Sequence, residues 1–433
     1  MIFQRHLHAY TLDSIRYSLT NLMPEGERQR FYLWGISPEN PDQNGFLQTI
    51  GVNQIINLSH HLLANLVETD YMEEVAQYCG ALNSYFMYEI VSDDMAIGLM
   101  TLRNNGEANR ERKEVLQHFN QAMVERLSGN GATSAELMSP IENSVREIST
   151  FRQSLSQPRL MHYLDLYMED RPQAFRHDIE YAAWPMLLTN IDVCGQAVDR
   201  MNPFAVSTLV RGGLIDHYTA VSRTLSTNMT MLPDELLNVG TQTVSVIPVL
   251  AYFAGLAGEL ARPQDEFQII VENGLLEDAI TTASTIVRLL NDMGLALTLP
   301  AGGRVSLIHK LWKYYEIHSG RVNTFSELLM RAGQQINALT RLRKDIYHGE
   351  FNICLQNLVF SDSVDYGIAQ FDENLAYYSK VYRQSQMHLH QVLTMIDTQM
   401  RNSVVSQVIR RFVGFHEKIY ANHYDTSMGE YVA

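Results

Sequence analysis

The chain has 433 residues, 46% of them hydrophobic and 19% charged, which is ample material for a core and excludes wholesale disorder. Its 48 acidic against 33 basic residues leave a formal charge of −15, which argues against non-specific nucleic-acid binding, because nothing offsets repulsion from the phosphates. Three distant cysteines, Cys79, Cys194 and Cys354, exclude a disulfide scaffold and a thiolate zinc site, and fit a reducing cytoplasm.

The N-terminal MIFQRHLHAYTLDSIRY has no basic head followed by an apolar run, so no secretory signal is expected. A first break falls at Pro38 to Gly45. No proline occurs between Pro41 and Pro140, or after Pro300, and stretches of that length suit long helices, since an interior proline costs about 3 kcal/mol. Val75 to Met100 is apolar nearly all round, as in a central helix. The loop Ser128 to Pro140 leads into a helix with Thr133 or Ser134 available as N-cap and Glu136 nearby. Asn202-Pro203 marks a short break. Val244 to Gly258 is the most apolar run, but at about 15 residues with Pro248 inside it falls short of the roughly 20 that a membrane span needs. It reads as a buried core helix. From Leu275, the positions Leu276, Ala279, Ile280, Ala283, Ile286, Val287, Leu290 and Met293 recur at steps of three and four, which is one helix face. Thr298 to Gly303 closes that helix. Alternating hairpin patterns are nearly absent, so the expected architecture is all-α, a single domain over 1–433, with helical insertions within 100–230 and 295–340.

Three segments carry candidate chemistry. In Tyr85-Phe-Met-Tyr-Glu-Ile-Val-Ser-Asp-Asp-Met95, an Asp93-Asp94 pair ends an apolar run, and Glu89 lies four residues before Asp93 on the same face. Acids at the polar end of a buried helix call for a cation, and Mg²⁺ suits them, because it takes one or two carboxylates plus substrate phosphates. A plain solvated helix end is the alternative. In Ile286-Val-Arg-Leu-Leu-Asn-Asp-Met-Gly294, Asn291 and Asp292 interrupt an apolar helix and need partners. Metal and phosphate would supply them, or Arg288 and Asp292, four apart, pair on the helix surface. In Arg341-Leu-Arg-Lys-Asp-Ile-Tyr-His-Gly-Glu-Phe-Asn352, Lys344 offers a phosphate contact and Asp345 a metal ligand, against the reading of a charged solvated turn. His60-His61 and the pair His388 and His390 stand too close in sequence to share a helix face. Nucleotide-binding GxGxxG and GxxxxGK patterns and the hydrolase GxSxG are absent.

Taken in order, these pieces resemble a class I terpene synthase over roughly residues 60 to 425. YFMYEIVSDDM is similar to the family's aspartate-rich helix end. MLPDELLNVGTQTVSVIPVLAYFAGLAG resembles the segment carrying a diphosphate-sensing arginine and a kinked apolar helix. STIVRLLNDMG and RLRKDIYHGEFN resemble the start and end of the second metal motif, N-D-x-x-S-x-x-x-E, and GFHEKIYANHY lies where a terminal Arg-Tyr is found. The chain departs from the pattern at several points. Ile97 stands where a third acid belongs, Leu295 and Leu299 where the Ser and Glu of the second motif would fall, and His423 in place of the terminal arginine, while Tyr424 remains. No arginine lies near Gly240 and Thr241. Two registers stay open for the second motif. Either it is split by an insertion after Met293, so that Asn291 and Asp345 converge, or Asn337 is its first ligand, with Asp345 eight residues on and Arg341 where Ser belongs.

The resemblance implies a helical bundle around a central apolar cavity. It implies Mg²⁺ held by Asp93, Asp94, Asn291 and Asp345, and catalytic roles for Asp93, Asp94, Arg288, Lys344 and Tyr424, with Arg288 or Lys344 replacing the lost sensor. The implied reaction is Mg²⁺-assisted ionisation of a linear prenyl diphosphate and cyclisation of the resulting cation in a dry cavity. Aromatic faces stabilise such a cation, and Tyr85, Phe86, Trp184, Tyr252 and Phe253 are candidates for the lining, with ordinary core packing as their alternative role. The expected partner is therefore a small prenyl diphosphate, with no nucleic acid and no membrane span; a homodimer is left open. The competing expectation is a non-catalytic all-α interaction protein on a degraded version of the same fold.

Overall fold

The computed structural model describes residues 2–99, 107–152, 154–171, 173–225, 231–260, 265–298, 300–356, 358, 361 and 363–421. Among them the secondary structure is helical throughout, with no strand. The helices that position the site are α1 (Ile2–Asn21), α2 (Met72–Ala96), α3 (Glu107–Leu127), α4 (Ala183–Asp199), α5 (Ser207–Thr224), α6 (Pro233–Gln242) and α7 (Val246–Gly255). They continue with α8 (Leu275–Met293), α9 (Ala301–His318), α10 (Phe325–Ala332), α11 (Thr340–His348), α12 (Val364–Met400) and α13 (Val404–Ala421).

Helix α2 is central. Glu73 and Glu74 sit in its first turn, where carboxylates meet the positive end of the helix dipole. Its buried side chains point all round the axis, because α1 and α4 pack on different sides of it. Gly80 permits the approach of α1: a β-carbon there would lie 2.6 Å from the Tyr10 carbonyl oxygen. Asn83 is satisfied inside the core, accepting from Ser59 and donating to Thr11 at 2.9 and 3.0 Å. The helix ends at Ala96, and Gly98 turns the chain away at φ 80°.

Helix α8 follows its sequence pattern closely. All eight periodic positions from Leu276 to Met293 are buried, against α6, α7, α12 and α13. Each large aliphatic among them contributes about 1.5–3 kcal/mol by leaving water. Gly294, at φ 69°, stops the helix two residues after Asp292. The chain then makes a short 3₁₀ turn, forms α9 and α10 against α12, and returns through α11 to pack on α8 again. The stretch between 295 and 340 therefore leaves α8, packs on α12 and comes back to α8.

The apolar run after Val244 bends instead of forming one rod. Helices α6 and the Val246–Leu260 segment meet at 47°, with Ser245 at φ 51° between them. Among the described residues no single helix is long and apolar enough to cross a membrane. Thr133 caps a short helix, Ser134–Met138, in a reciprocal capping box with Glu136; the helix falls inside the stretch Ser128 to Pro140 that reads as a loop in sequence.

Candidate active site

The last turn of α2 forms one wall of a polar mouth. Asp93 is exposed at its tip and accepts no hydrogen bond among the described residues, yet the surrounding protein strips much of its solvation. Burial raises its carboxyl to about 6, and the carboxylates of Glu350 and Glu89 add to the rise, while His217 and Lys344 oppose it. Glu350 follows α11 and pairs with Lys344 at 3.1 Å. The mouth therefore gathers three acids from two distant stretches around one accessible carboxylate.

Glu89 is held rigidly one turn deeper. Tyr218 donates to its Oε2 at 2.7 Å and Asn190 donates to the same oxygen at 3.0 Å. The Tyr218 hydroxyl also shares a hydrogen bond with the Tyr85 hydroxyl at 2.8 Å. His217 Nε2 lies 3.6 Å from Glu89 Oε1, and its Nδ1 faces the Gln242 carbonyl at 3.1 Å. Tyr85 leads inward. It lines a small apolar cavity with Leu82, Cys194, Leu214, Pro248 and Tyr252, a space with room for about one water molecule. Of the five aromatics named from sequence, Tyr85 and Tyr252 face this cavity; Phe253 and Trp184 are buried in the core and Phe86 packs at its edge.

Beside the Lys344–Glu350 pair lies a knot of buried charges where α8 ends. Arg288 forks onto Asp292, donates through Nη2 to the Phe351 carbonyl at 2.9 Å and through Nη1 to Thr243 Oγ1 at 3.2 Å. The pair is buried, with side chains 5% and 0% exposed, so it is a core ion pair and not the surface pair that spacing alone suggests. Arg288 also lies against Gly240, where a β-carbon would come within 3.3 Å of it; the place without an arginine in sequence is filled by one from the neighbouring helix. Asp292 Oδ2 accepts from the Ile353 backbone at 2.7 Å. Burial raises its carboxyl, against the pull of Arg288.

Arg341 completes the knot. Its Nε donates to the Asn291 carbonyl oxygen at 2.6 Å, its Nη2 donates to Asn291 Oδ1 at 2.7 Å, and its Nε lies 3.6 Å from Asp345 Oδ1. Tyr420 donates to the same Asn291 oxygen at 2.8 Å, and Asn352 bridges Asp345 Oδ2 at 2.8 Å and the Asp292 carbonyl at 2.9 Å. Burial pushes the Asp345 carboxyl up, and Arg341 works against that rise. Asn291 and Asp345 thus stand on either side of one guanidinium, fifty-four residues apart in sequence.

The remaining sequence candidates divide. Asp94 turns away from Asp93, toward the Ser154 hydroxyl and the Leu155 backbone, and burial raises its carboxyl to about 7. Adjacent helix residues point about 100° apart, so the two aspartates do not share a ligand position. Asn337 is exposed in a 3₁₀ turn before α11, outside the knot. Tyr424, His423 and Leu299 lie outside the described residues. Asn190, His217, Tyr218, Glu350 and Tyr420 enter the site without having been singled out from sequence, and Asp292, marked there as a polar interruption, enters as the partner of Arg288.

The donor set decides where a divalent ion fits. Among the described residues no group of three or more His, Cys, Asp or Glu side chains is close enough to hold a metal alone. Beside Asp93, hard carboxylate oxygens repel each other and one is open to solvent, which suits Mg²⁺ shared with substrate phosphates. Beside Asn291 the fit fails: both lone pairs of Oδ1 are engaged by Arg341 and Tyr420, and the guanidinium already carries the positive charge.

No protein-family model matches this chain, and no curated protein matches it. Among solved structures, a single-site variant of cucumene synthase is similar over 90% of this chain and 94% of its own, at 11% identity and a TM-score of 0.39. An overlap that loose assigns no residue a role.

Proposed function

We propose that the chain is a class I terpene synthase that binds a linear prenyl diphosphate at the mouth beside Asp93 and ionises it, the apolar interior guiding the cation. The observation that supports this reading is convergence. Asp93, the Lys344–Glu350 pair and the knot of Asn291, Asp292 and Asp345 come from three separate stretches and meet at one polar rim over an apolar core. Mg²⁺ bound at Asp93 would neutralise charge on the departing diphosphate. Lys344, partly exposed at the rim, adds a movable cation for the same anion. Arg288 is committed to Asp292 and takes no direct part. Behind the rim, Tyr85 and Tyr252 line the cavity with aromatic rings that would stabilise a cation, and their hydroxyls are tied to Tyr218 and to the Tyr78 carbonyl, which keeps them from quenching it. A chain of ten carbons or more outgrows a cavity the size of about one water, so substrate entry must spread α5 and α7 from α2.

The test is incubation of the full chain with C10, C15, C20 and C25 prenyl diphosphates and Mg²⁺, with hydrocarbon products read by gas chromatography. Asp93→Asn is expected to abolish turnover while leaving the circular dichroism spectrum unchanged. Full activity in that variant would remove Asp93 from the mechanism. The second reading, a non-catalytic all-α interaction protein, draws on the saturated oxygens around Asn291. It predicts no product at any chain length.

A further inference from the structure

We propose that Arg341 is a built-in cation, seated among oxygens that would otherwise hold a divalent metal, so that the chain gathers metal on the Asp93 side of the mouth and not on the Asn291 side. Three observations carry this. First, the guanidinium touches what a metal would touch: Asn291 Oδ1 at 2.7 Å and, at 3.6 Å, the carboxylate of Asp345. Second, Asp345 Oδ1 is buried and has no hydrogen-bond partner. A buried carboxylate oxygen without a donor is costly and is kept where charge compensates it; here Arg341 is that charge. Third, the knot pairs its charged groups internally: Arg288 stands against Asp292 and Arg341 against Asp345. A divalent ion entering this set would meet a fixed guanidinium at contact distance and find the Asn291 oxygen engaged on both lone pairs.

Arginine suits this place because its planar fork presents several N–H groups in fixed directions, so one side chain can span the end of α8 and the body of α11. Its side chain is only 10% exposed and lies over the Tyr420 ring at 5.5 Å, which seals it from the mouth. Its role is therefore to hold Asn291 and Asp345 in place; it does not reach out to a substrate. The consequence for chemistry deepens the reading proposed above and rests on it: an anion bound at the mouth meets metal at Asp93, with Lys344 partly exposed beside it.

Metal counting tests this without requiring turnover. Bound Mn²⁺ is measured by electron paramagnetic resonance on the full chain, with and without inorganic pyrophosphate as the probe anion. Arg341→Ser, which frees the space and offers a hydroxyl, and Arg341→Gln, which removes only the charge, are each expected to gain about one Mn²⁺ per chain. Adding Asp345→Asn to either is expected to abolish the gain. In the wild type, Mn²⁺ bound with pyrophosphate is expected to fall in Asp93→Asn and to stay unchanged in Asp345→Asn. Loss of an ion from wild type on Asp345→Asn, or no gain in either Arg341 variant, overturns the proposal. If an Arg341 variant is unfolded in metal-free buffer, recovery of its helical spectrum on adding Mn²⁺ supports the proposal, and failure to recover opposes it. Pyrophosphate-dependent Mn²⁺ that falls in Asp93→Asn, with no product from any prenyl diphosphate, would leave this inference standing and defeat the catalytic reading; no pyrophosphate-dependent binding in the wild type would overturn the Asp93 half of the inference.

Discussion

Replacing Asp292 by alanine tests the knot most directly, because it removes one charge from a buried pair and leaves the other. Asp292 is fully buried and holds the Arg288 guanidinium by two donors, together with the Ile353 N–H at 2.7 Å. Without it, Arg288 keeps only the neutral Phe351 carbonyl and Thr243 hydroxyl as partners, at 4% exposure. Breaking a buried ion pair from one side costs about 3–5 kcal/mol, and the orphaned Ile353 amide lies within that figure. The measurement is guanidinium chloride unfolding followed by far-UV circular dichroism, with the m-value compared between variants. Arg288→Met combined with Asp292→Leu removes both charges and fills the volume, so it is expected to lose at least about 1.5 kcal/mol less than the sum of the two single changes. A loss below about 1 kcal/mol for Asp292→Ala, or strict additivity in the double variant, would refute the picture of a desolvated pair. It would place Arg288 and Asp292 in solvent, where such pairs contribute about 0–1 kcal/mol.

Other perturbations probe separate parts of the fold. Gly80→Ala would gain about 1 kcal/mol of helix propensity on an exposed surface, but here its β-carbon meets the Tyr10 backbone at 2.6 Å, which cannot swing aside; a net loss of about 1–2 kcal/mol in thermal or denaturant unfolding is expected, and a gain would show that α1 is loosely seated. His416 titrates low, at about 4, because burial disfavours its charged form. Between its unfolded value near 6.5 and about 4 the unfolded chain binds the extra proton, so stability is lost as pH falls through that window, by up to about 3 kcal/mol from this group. His416→Gln should flatten the fall in unfolding midpoint between pH 6.5 and 4 relative to wild type; parallel curves would contradict the assignment.

Periodicity made the fold legible where burial is one-sided. The eight apolar positions of α8 are all in the core, but the helix closes at Gly294, ahead of the stop expected at Thr298 to Gly303, because the glycine takes φ 69°, and α9 already begins at Ala301. The all-α class followed from the same signal. What periodicity does not carry is bending. The Val244 to Gly258 run is uniformly apolar and offers no phase, so the 47° turn at Ser245 has no counterpart in the pattern. For the same reason the size of the interior cavity was not readable, since close packing among Leu82, Tyr85, Leu214 and Tyr252 depends on how three helices meet.

The site was legible to the extent that its residues sit beside one another in sequence. Asp93 stood out as an acid ending an apolar helix, and Asn291 and Asp345 as polar interruptions on either side of an excursion; that they meet follows from α11 returning to α8. Their partners carry no local mark. Asn190 and Tyr218 reach Glu89 from α4 and α5, and each is an ordinary buried residue of its own helix until the third one is placed beside them. Asp94 differs from Asp93 for a local reason, since one residue along a helix rotates the side chain by about 100° and gives it Ser154 as a partner. Arg341 shows the deepest limit. In sequence it is a basic residue where a hydroxyl would complete a metal motif, which reads as damage. In space the same guanidinium donates to both oxygens of Asn291 and stands 3.6 Å from Asp345, so it supplies the positive charge that the neighbouring oxygens need, a role that its own stretch of sequence does not announce.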